Sequence, residues 1–257
     1  MPEIADGVFQ LEIPMRYNPL GRTYSYLLLD SCTLIDTGVQ SKEAFKAMLE
    51  QLKGLGMNVK DLEQIILTHL HRDHTGLVDR IRKVSEVRIL AHEEAVEIQK
   101  RWAALGRRGY EETRDETKMW GGGGLLDILS RYEQAFRRPR PSLKIDGTVA
   151  DGATLELEGS MLHVIWTPGH SRDHICIHDQ GRELLFSGDH VFPKITSHVS
   201  LHTFQKGDPL ADYLRSLERL RGLGFSIVLP GHEGVFEDLE GRINQLERHH
   251  EIRCGEI

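Results

Sequence analysis

Between Thr68 and Gly76 the chain reads THLHRDHTG, and His69, His71, Asp73 and His74 follow directly on the apolar run Ile65-Ile66-Leu67. Imidazole nitrogens and carboxylate oxygens together make a donor set for borderline divalent cations. In an extended strand, residues two apart point to the same side, so His69 and His71 can approach one cation together. Asp73 and His74 come at the turn into the next helix and reach a neighbouring position. The HExxH type of site sets its histidines four apart on a helix face. The HxHxDH spacing instead belongs to a strand-to-helix loop able to serve two metals.

The same construction recurs along the chain. MLHVIW runs into Thr167-Pro168-Gly169-His170, ELLFS into Gly188-Asp189, FSIVL into Pro230-Gly231-His232, and TLI into Asp36-Thr37-Gly38. Three of these ligand-type residues follow a glycine, which permits a tight turn and close backbone approach. Functional groups usually sit on loops held at strand ends by a rigid sheet. A lone histidine after a strand is most often a cap or a core residue. Ligand-type residues repeated at strand ends argue for a metal centre.

Positioning these groups requires strands and helices in both halves of the chain. VFQLEI, TYSYLLL and CTLID read as strands, and Ser41 can cap a helix over KEAFKAMLEQLKGL. QIILT is a strand, a helix is expected from about 75 to 84, and VRILA is another strand. From about 92 to 144 the character changes to a helical insertion, with expected helices over HEEAVEIQKRWAAL and LLDILSRYEQAF and a glycine run at 121–124 between them. Strands return in ATLEL, MLHVIW, HICIH, ELLFS and FSIVL. Pro209 opens a helix over LADYLRSLERLRGL, and a last helix covers about 236–252. The expected organisation is one domain over residues 1–257 carrying the insertion at about 92–144.

The 257 residues are long enough to bury a core without staples. Three scattered cysteines form neither a disulfide framework nor a cysteine zinc site, which fits a reducing compartment. The start lacks the basic and apolar regions of a secretory signal, and no apolar run approaches the roughly 18 residues of a membrane helix. The expectation is a cytoplasmic protein without membrane attachment. A net charge of −7 argues against nucleic acid as the obligatory partner.

THLHRDHTG, TPGHS, SGDHVF, LPGHE and LIDTG resemble the five motifs of the metallo-β-lactamase-fold hydrolase superfamily, and HSRDH resembles the HTxGH of its glyoxalase-II-like members, with Asp173 at the usual glycine position. The resemblance implies an α/β fold, a four-layer αβ/βα sandwich with a dinuclear metal site where two sheets meet. It implies that His69, His71 and His170 bind one metal, that Asp73, His74 and His232 bind the other, and that Asp189 bridges both. Asp36 falls on a supporting position behind the ligands, and His174 is expected to brace the site. Five imidazoles and two carboxylates suit two Zn²⁺ ions, with Fe or Mn as alternatives.

Such a centre would hold a metal-bridging hydroxide at neutral pH, with Asp73 orienting it as the catalytic carboxylate. The expected reaction is hydrolysis of a small acyl substrate, whether thioester, lactone or ester; the alternative is a phosphodiesterase or endoribonuclease on the same site. Diiron redox chemistry of relatives normally adds a flavin domain, which is not expected here. Arg137, Arg138 and Arg140 are candidates for an anionic substrate tail, with a solvated basic turn the preferred reading. His190, His198 and His202 are candidates for protonating the leaving group. Trp102, Leu105, Trp120, Leu125 and Leu126 of the insertion could line a pocket or a homodimer contact.

Overall fold

The computed structural model describes residues 1–16, 18–119, 121–126, 142–201 and 207–256, with the side chains of 105–110, 112, 113 and 116 outside that description. Strands β1 (Glu3–Ala5), β2 (Val8–Pro14), β3 (Arg22–Leu28), β4 (Thr33–Ile35), β5 (Gln64–Ile66), β6 (Arg88–His92) and β7 (Gly147–Val149) form one sheet in that order. Strands β8 (Thr154–Leu157), β9 (Ser160–Trp166), β10 (Ile175–Asp179), β11 (Leu184–Gly188) and β12 (Ile227–Pro230) form the second, in the order β12-β11-β10-β9-β8. The first sheet is antiparallel from β1 to β4 and parallel from β4 to β7. In the second, only β11 and β12 run parallel.

Strand periodicity sorts the apolar side chains into layers. Tyr24, Tyr26, Leu28, Ile35, Ile66 and Leu90 of the first sheet meet Val164, Ile177, Phe186 and Leu229 of the second in one buried cluster. Their neighbours Leu27, Leu34, Ile65 and Ile89 turn the other way. They pack on Ala44, Met48 and Leu52 of α1 (Lys42–Gly54), Val78 and Ile81 of α3 (Val78–Arg82), and Ala95 and Ile98 of α4 (Glu93–Met119). On the far side, Cys176, Leu185 and Val228 meet Tyr213 and Leu217 of α5 (Pro209–Glu218) and Leu239, Ile243 and Leu246 of α6 (Leu239–Gly255). The result is the expected four-layer αβ/βα sandwich. No helix among the described residues is long and apolar enough to cross a membrane.

The expected helix over 75–84 is instead two short ones, α2 (Arg72–Thr75) and α3. Thr37 causes the break. Its N–H and its hydroxyl both donate to the His74 carbonyl, at 2.7 and 2.8 Å, and its hydroxyl oxygen accepts from Leu77 N at 3.2 Å. The helical ladder is diverted into a loop 40 residues upstream. Asp73 and His74 consequently lie within α2 rather than at the turn before it.

In the insertion, the first helix does not stop near 105 but continues to Met119. Ala95 and Ile98, with Trp102 beside them, seat its start on the helix-side core, and good helix formers carry the rest. Trp102 thus packs against the core and Leu125 is exposed. The Leu105 side chain, Trp120, His202, the arginines at 137, 138 and 140, and residues 127–136 of the second expected helix lie outside the described residues. Strands β1 and β7 have three residues each, too few for a readable period.

Phe186 is fully buried between the sheets, edge-on to Tyr26 at 5.5 Å between ring centroids. Phe186→Ala should cost about 3–5 kcal/mol. The check is a lower urea midpoint with an unchanged slope; an unaltered midpoint would contradict the layer assignment.

Candidate metal centre

The ligand-type residues arrive from four strand ends. His69 and His71 follow β5 and lead into α2, which carries Asp73 and His74, while His170, Asp189 and His232 follow β9, β11 and β12. The side chains of His69, His71, His170 and Asp189 converge with ligand atoms within 4.8 Å of one another, and so do those of Asp73, His74 and His232. In the first group His170 Nε2 lies 3.3 Å from His69 Nε2 and 2.9 Å from His71 Nδ1. In the second, His232 Nε2 lies 3.4 Å from Asp73 Oδ2. Asp189 stands between them. Its Oδ1 is 3.1 Å from His74 Nε2 and 3.5 Å from His232 Nε2, and its Oδ2 is 3.6 Å from His170 Nε2.

This arrangement fits cations. Buried polar atoms normally find hydrogen-bond partners, yet His74 Nε2, His232 Nε2 and Asp189 Oδ1 have none. His170 Nδ1 donates to a carbonyl and His69 Nδ1 faces the Thr68 hydroxyl, so the Nε2 atoms of these two rings turn lone pairs toward each other at 3.3 Å, an arrangement that a cation between them would relieve. Burial, reinforced by neighbouring histidines, lowers His71 to about 3 and holds His69 well below the usual histidine value. Burial likewise lowers His170. These three are neutral, as coordinating imidazoles must be.

The second group behaves differently without a cation. Burial alone would lower His74 and His232, but the Asp189 carboxylate, joined by Asp36 at His74 and Asp73 at His232, outweighs it. His74 is raised well above its ordinary value and His232 to about 9. Burial opposes ionisation of Asp73, yet His232 and His74 bring it down to about 2. Protons occupy the place that a cation's positive charge would take.

The non-ligating nitrogens are held from behind, which fixes ring orientation and tautomer. His74 Nδ1 donates to Asp36 Oδ2 at 2.7 Å, His232 Nδ1 to the Arg22 carbonyl at 2.9 Å, and His170 Nδ1 to the His198 carbonyl at 2.8 Å. His69 Nδ1 lies 3.0 Å from the Thr68 hydroxyl, which itself donates to Asp36 Oδ2 at 2.7 Å. One carboxylate therefore orients a histidine of each group, His74 directly and His69 through Thr68. Asp36 adopts φ +58, a left-handed conformation that costs a non-glycine residue about 1–2 kcal/mol. Thr68 N, donating to Asp36 Oδ1 at 2.9 Å, and Ser25, donating to the Asp36 carbonyl at 2.6 Å, help hold it there.

Close approach explains one of the glycines. A Cβ on Gly231 would lie 2.6 Å from both Asp189 Oδ1 and His74 Cε1. His174 has Nδ1 2.8 Å from the Thr167 hydroxyl, and its Nε2 accepts from Asp189 N at 3.1 Å. Asp173 accepts from Leu70 N at 2.9 Å and from the Ser171 hydroxyl, which pins the peptide between His69 and His71. Burial nevertheless raises its pKa to about 6. His190 turns inward onto Tyr213, 4.9 Å between centroids, and burial lowers it to about 3, so it does not face the substrate side. His198 is exposed and offers the centre its backbone carbonyl.

Sequence reasoning missed Thr68 and the fastening of the loop after Asp189. Thr68 is visible in hindsight as the first letter of THLHRDHTG. Glu233 accepts from Lys194 N and Ile195 N at 2.9 and 3.1 Å. The buried guanidinium of Arg242, on α6, donates to the carbonyls of Phe192, Lys194 and Ile195 at 2.6, 2.9 and 2.6 Å. Nothing local in the sequence marks Arg242, because its partners lie 47–50 residues away.

A family model described as the metallo-beta-lactamase superfamily matches residues 18–232, a span containing all seven converging residues. The chain belongs to the metallo-beta-lactamase superfamily. A probable metallo-hydrolase of Bacillus subtilis, YqjP, is 31% identical over 236 residues, 88% of this chain and 72% of that protein. An atrochrysone carboxyl ACP thioesterase of Aspergillus fumigatus is 26% identical over 184 residues, 72% of this chain and 42% of the relative. This chain spans about half the length of several fungal lactamase-like relatives. Among solved structures, the metallo-beta-lactamase family protein TTHA1429 of Thermus thermophilus aligns with a TM-score of 0.77 at 29% identity, covering 98% of this chain and 81% of that one. A beta-lactamase domain protein of Burkholderia ambifaria aligns at 0.74 and 25%, covering 98% and 75%. This member of the metallo-beta-lactamase superfamily is a metal-dependent hydrolase.

Two outcomes follow from the electrostatics. Asp36→Asn in this superfamily member should weaken metal binding about 10–100-fold, the usual effect of losing a carboxylate behind a metal-ligating histidine; competition with a chelating dye measures it, and unchanged affinity would contradict the shared anchoring. Because His74 and His232 are protonated at pH 7 in the metal-free protein, metal uptake must expel protons, and less so above about pH 9. Binding heats should vary with the ionisation enthalpy of the buffer; buffer-independent heats would refute the assignment.

Proposed function

We propose that this chain hydrolyses small acyl substrates, thioesters, lactones or esters, at a dinuclear site held by His69, His71 and His170 on one side, Asp73, His74 and His232 on the other, and Asp189 between them. The observation that carries the reading is the split of the Asp189 carboxylate, one oxygen toward each group of histidines. Zn²⁺ suits five imidazoles and two carboxylates, with Fe or Mn as alternatives. When bound, two such cations supply a Lewis acid for the acyl oxygen and make hydroxide available near neutral pH.

The chain's own residues do the rest. Asp189 places negative charge where two cations would repel each other. Asp73 lines an open cleft and lies 3.4 Å from His232 Nε2. Its low pKa keeps it a carboxylate, able to accept a hydrogen bond from the attacking water and turn its lone pair toward the acyl carbon. Asp36, Arg22 and His198 hold the imidazoles still meanwhile. The thioesterase named among the relatives supports an acyl substrate. Phosphodiester hydrolysis on the same site is the competing reading, and a net charge of −7 weighs against a polyanion.

Asp73→Asn keeps the shape but loses the accepting charge, so kcat should fall about 10²–10⁴-fold, with metal content reduced less than in Asp189→Ala. Asp189→Ala should lose occupancy of at least one site and activity with it. Elemental analysis and turnover on a thioester panel, run beside a single-stranded RNA, decide the matter. A fully active Asp73→Asn enzyme, or RNA cleaved faster than every acyl substrate, would overturn the reading.

A further inference from the structure

His69, His74, His170 and His232 are each held from an outer ring nitrogen. Among the described residues nothing holds the outer nitrogen of His71, whose Nδ1 faces His170 Nε2 at 2.9 Å. The ring stands edge-on to those of His69 and His170, with centroids 4.5 and 4.6 Å away. Backbone contacts fix it instead. On one side, the His71 carbonyl accepts from His74 N, Thr75 N and the Thr75 hydroxyl at 3.1, 3.0 and 3.1 Å. On the other, Leu70 N donates to Asp173 Oδ2 at 2.9 Å, and Asp173 Oδ1 accepts from the Ser171 hydroxyl. Asp173 is 1% exposed, and no cation among the described residues pairs with it. Burying an unpaired carboxylate is costly, so filling space does not explain this residue. In the HTxGH pattern that residues 170–174 resemble, the position is glycine, which has no side chain to make such a tie.

We propose that Asp173 is a positioning residue for the three-histidine group: through Leu70 N it sets where His71 stands relative to His69 and His170. The proposal rests on the dinuclear reading above and deepens it. It assigns the affinity of one of the two sites to a side chain that is not itself a ligand. Asp173 lies on the turn that follows His170, so its bond to Leu70 N ties the two ligand loops together. The tether, rather than the charge, carries the effect. An amide in place of the carboxylate keeps an oxygen for Leu70 N and turns its NH₂ toward Ser171. The loops also stay in register without Asp173, because Ile175 N donates to the Thr68 carbonyl at 2.9 Å and Leu70 is seated in the helix-side core. Removing the carboxylate therefore loosens His71 while leaving the fold standing.

The test is competition for zinc with a chelating dye on the full-length chain, in wild type, Asp173→Ala, Asp173→Asn and Ser171→Ala. Histidine ring ¹⁵N spectra of the metal-free proteins accompany it. Asp173→Ala should weaken one of the two zinc equivalents about 10–100-fold, the usual effect of losing an outer support, and leave the other as in wild type. Asp173→Asn should restore most of that loss. Without metal, Asp173→Ala should shift or broaden the His71 signals while those of His74 and His232 stay in place. Equal weakening of both equivalents overturns the proposal, since it marks a merely structural residue. So does an Asn variant as weak as the Ala one, since it marks a charge effect. If Asp173→Ala does not fold, Ser171→Ala decides: a smaller loss at one equivalent supports the tether, and unchanged binding overturns it. If wild type takes up fewer than two zinc equivalents, the dinuclear reading fails by itself, and the His71 signals decide. A change in Asp173→Ala that Asp173→Asn reverses supports the positioning, and unchanged signals overturn it.

Discussion

The structure is organised around polar atoms that have only one another for company. Five imidazoles and two carboxylates meet where the two sheets come together, and several of their inward atoms find no hydrogen bond. Such a gathering is unfavourable without positive charge, because burial and mutual repulsion act together. The surrounding fold therefore holds four of the five rings in place from their outer nitrogens. It does so with a carboxylate at Asp36, a hydroxyl at Thr68 and the backbone carbonyls of Arg22 and His198. Rings oriented this way can coordinate without first reorganising.

Both groups draw on both halves of the chain. His170 and Asp189 join the first pair of histidines, and His232 joins Asp73 and His74. The sheets are also stitched directly near this point: Tyr24 N donates to the Gly231 carbonyl at 2.7 Å, and the Tyr26 hydroxyl to that of Pro230, also at 2.7 Å. Cations at the centre would add to this stitching, since binding to the folded form alone stabilises it by mass action.

Much of this was legible in the sequence, and the limits have physical causes. The ligand-type residues at strand ends could be read because strand alternation and the glycine turns are local, whereas their grouping came from the resemblance of the motifs. Strands such as QIILT followed from apolar runs, buried on both faces as parallel strands are, while the four layers were implied by the resemblance of the motifs. What stayed hidden depends on distant partners. Thr37 breaks a helix 40 residues away, Thr68 passes Asp36's hold on to His69, and Arg242 secures a loop from the adjoining helix layer. The length of α4 is hard to read because its glycines resemble stop signals while core contacts at its start hold the helix on course.

The long excursion after β6 leaves and rejoins the first sheet at neighbouring strands: α4 starts one residue past β6, and β7 pairs parallel with β6 through Leu90 and Gly147. Its two attachment points are thus fixed side by side at the sheet edge, on strands that carry none of the converging side chains. Chain length between them is nearly free thermodynamically, since doubling a flexible loop adds only about 0.6 kcal/mol of closure cost. An architecture of this kind behaves like a socket. Segments of different length and composition can be exchanged at the rim over generations while the centre and its supports stay as they are.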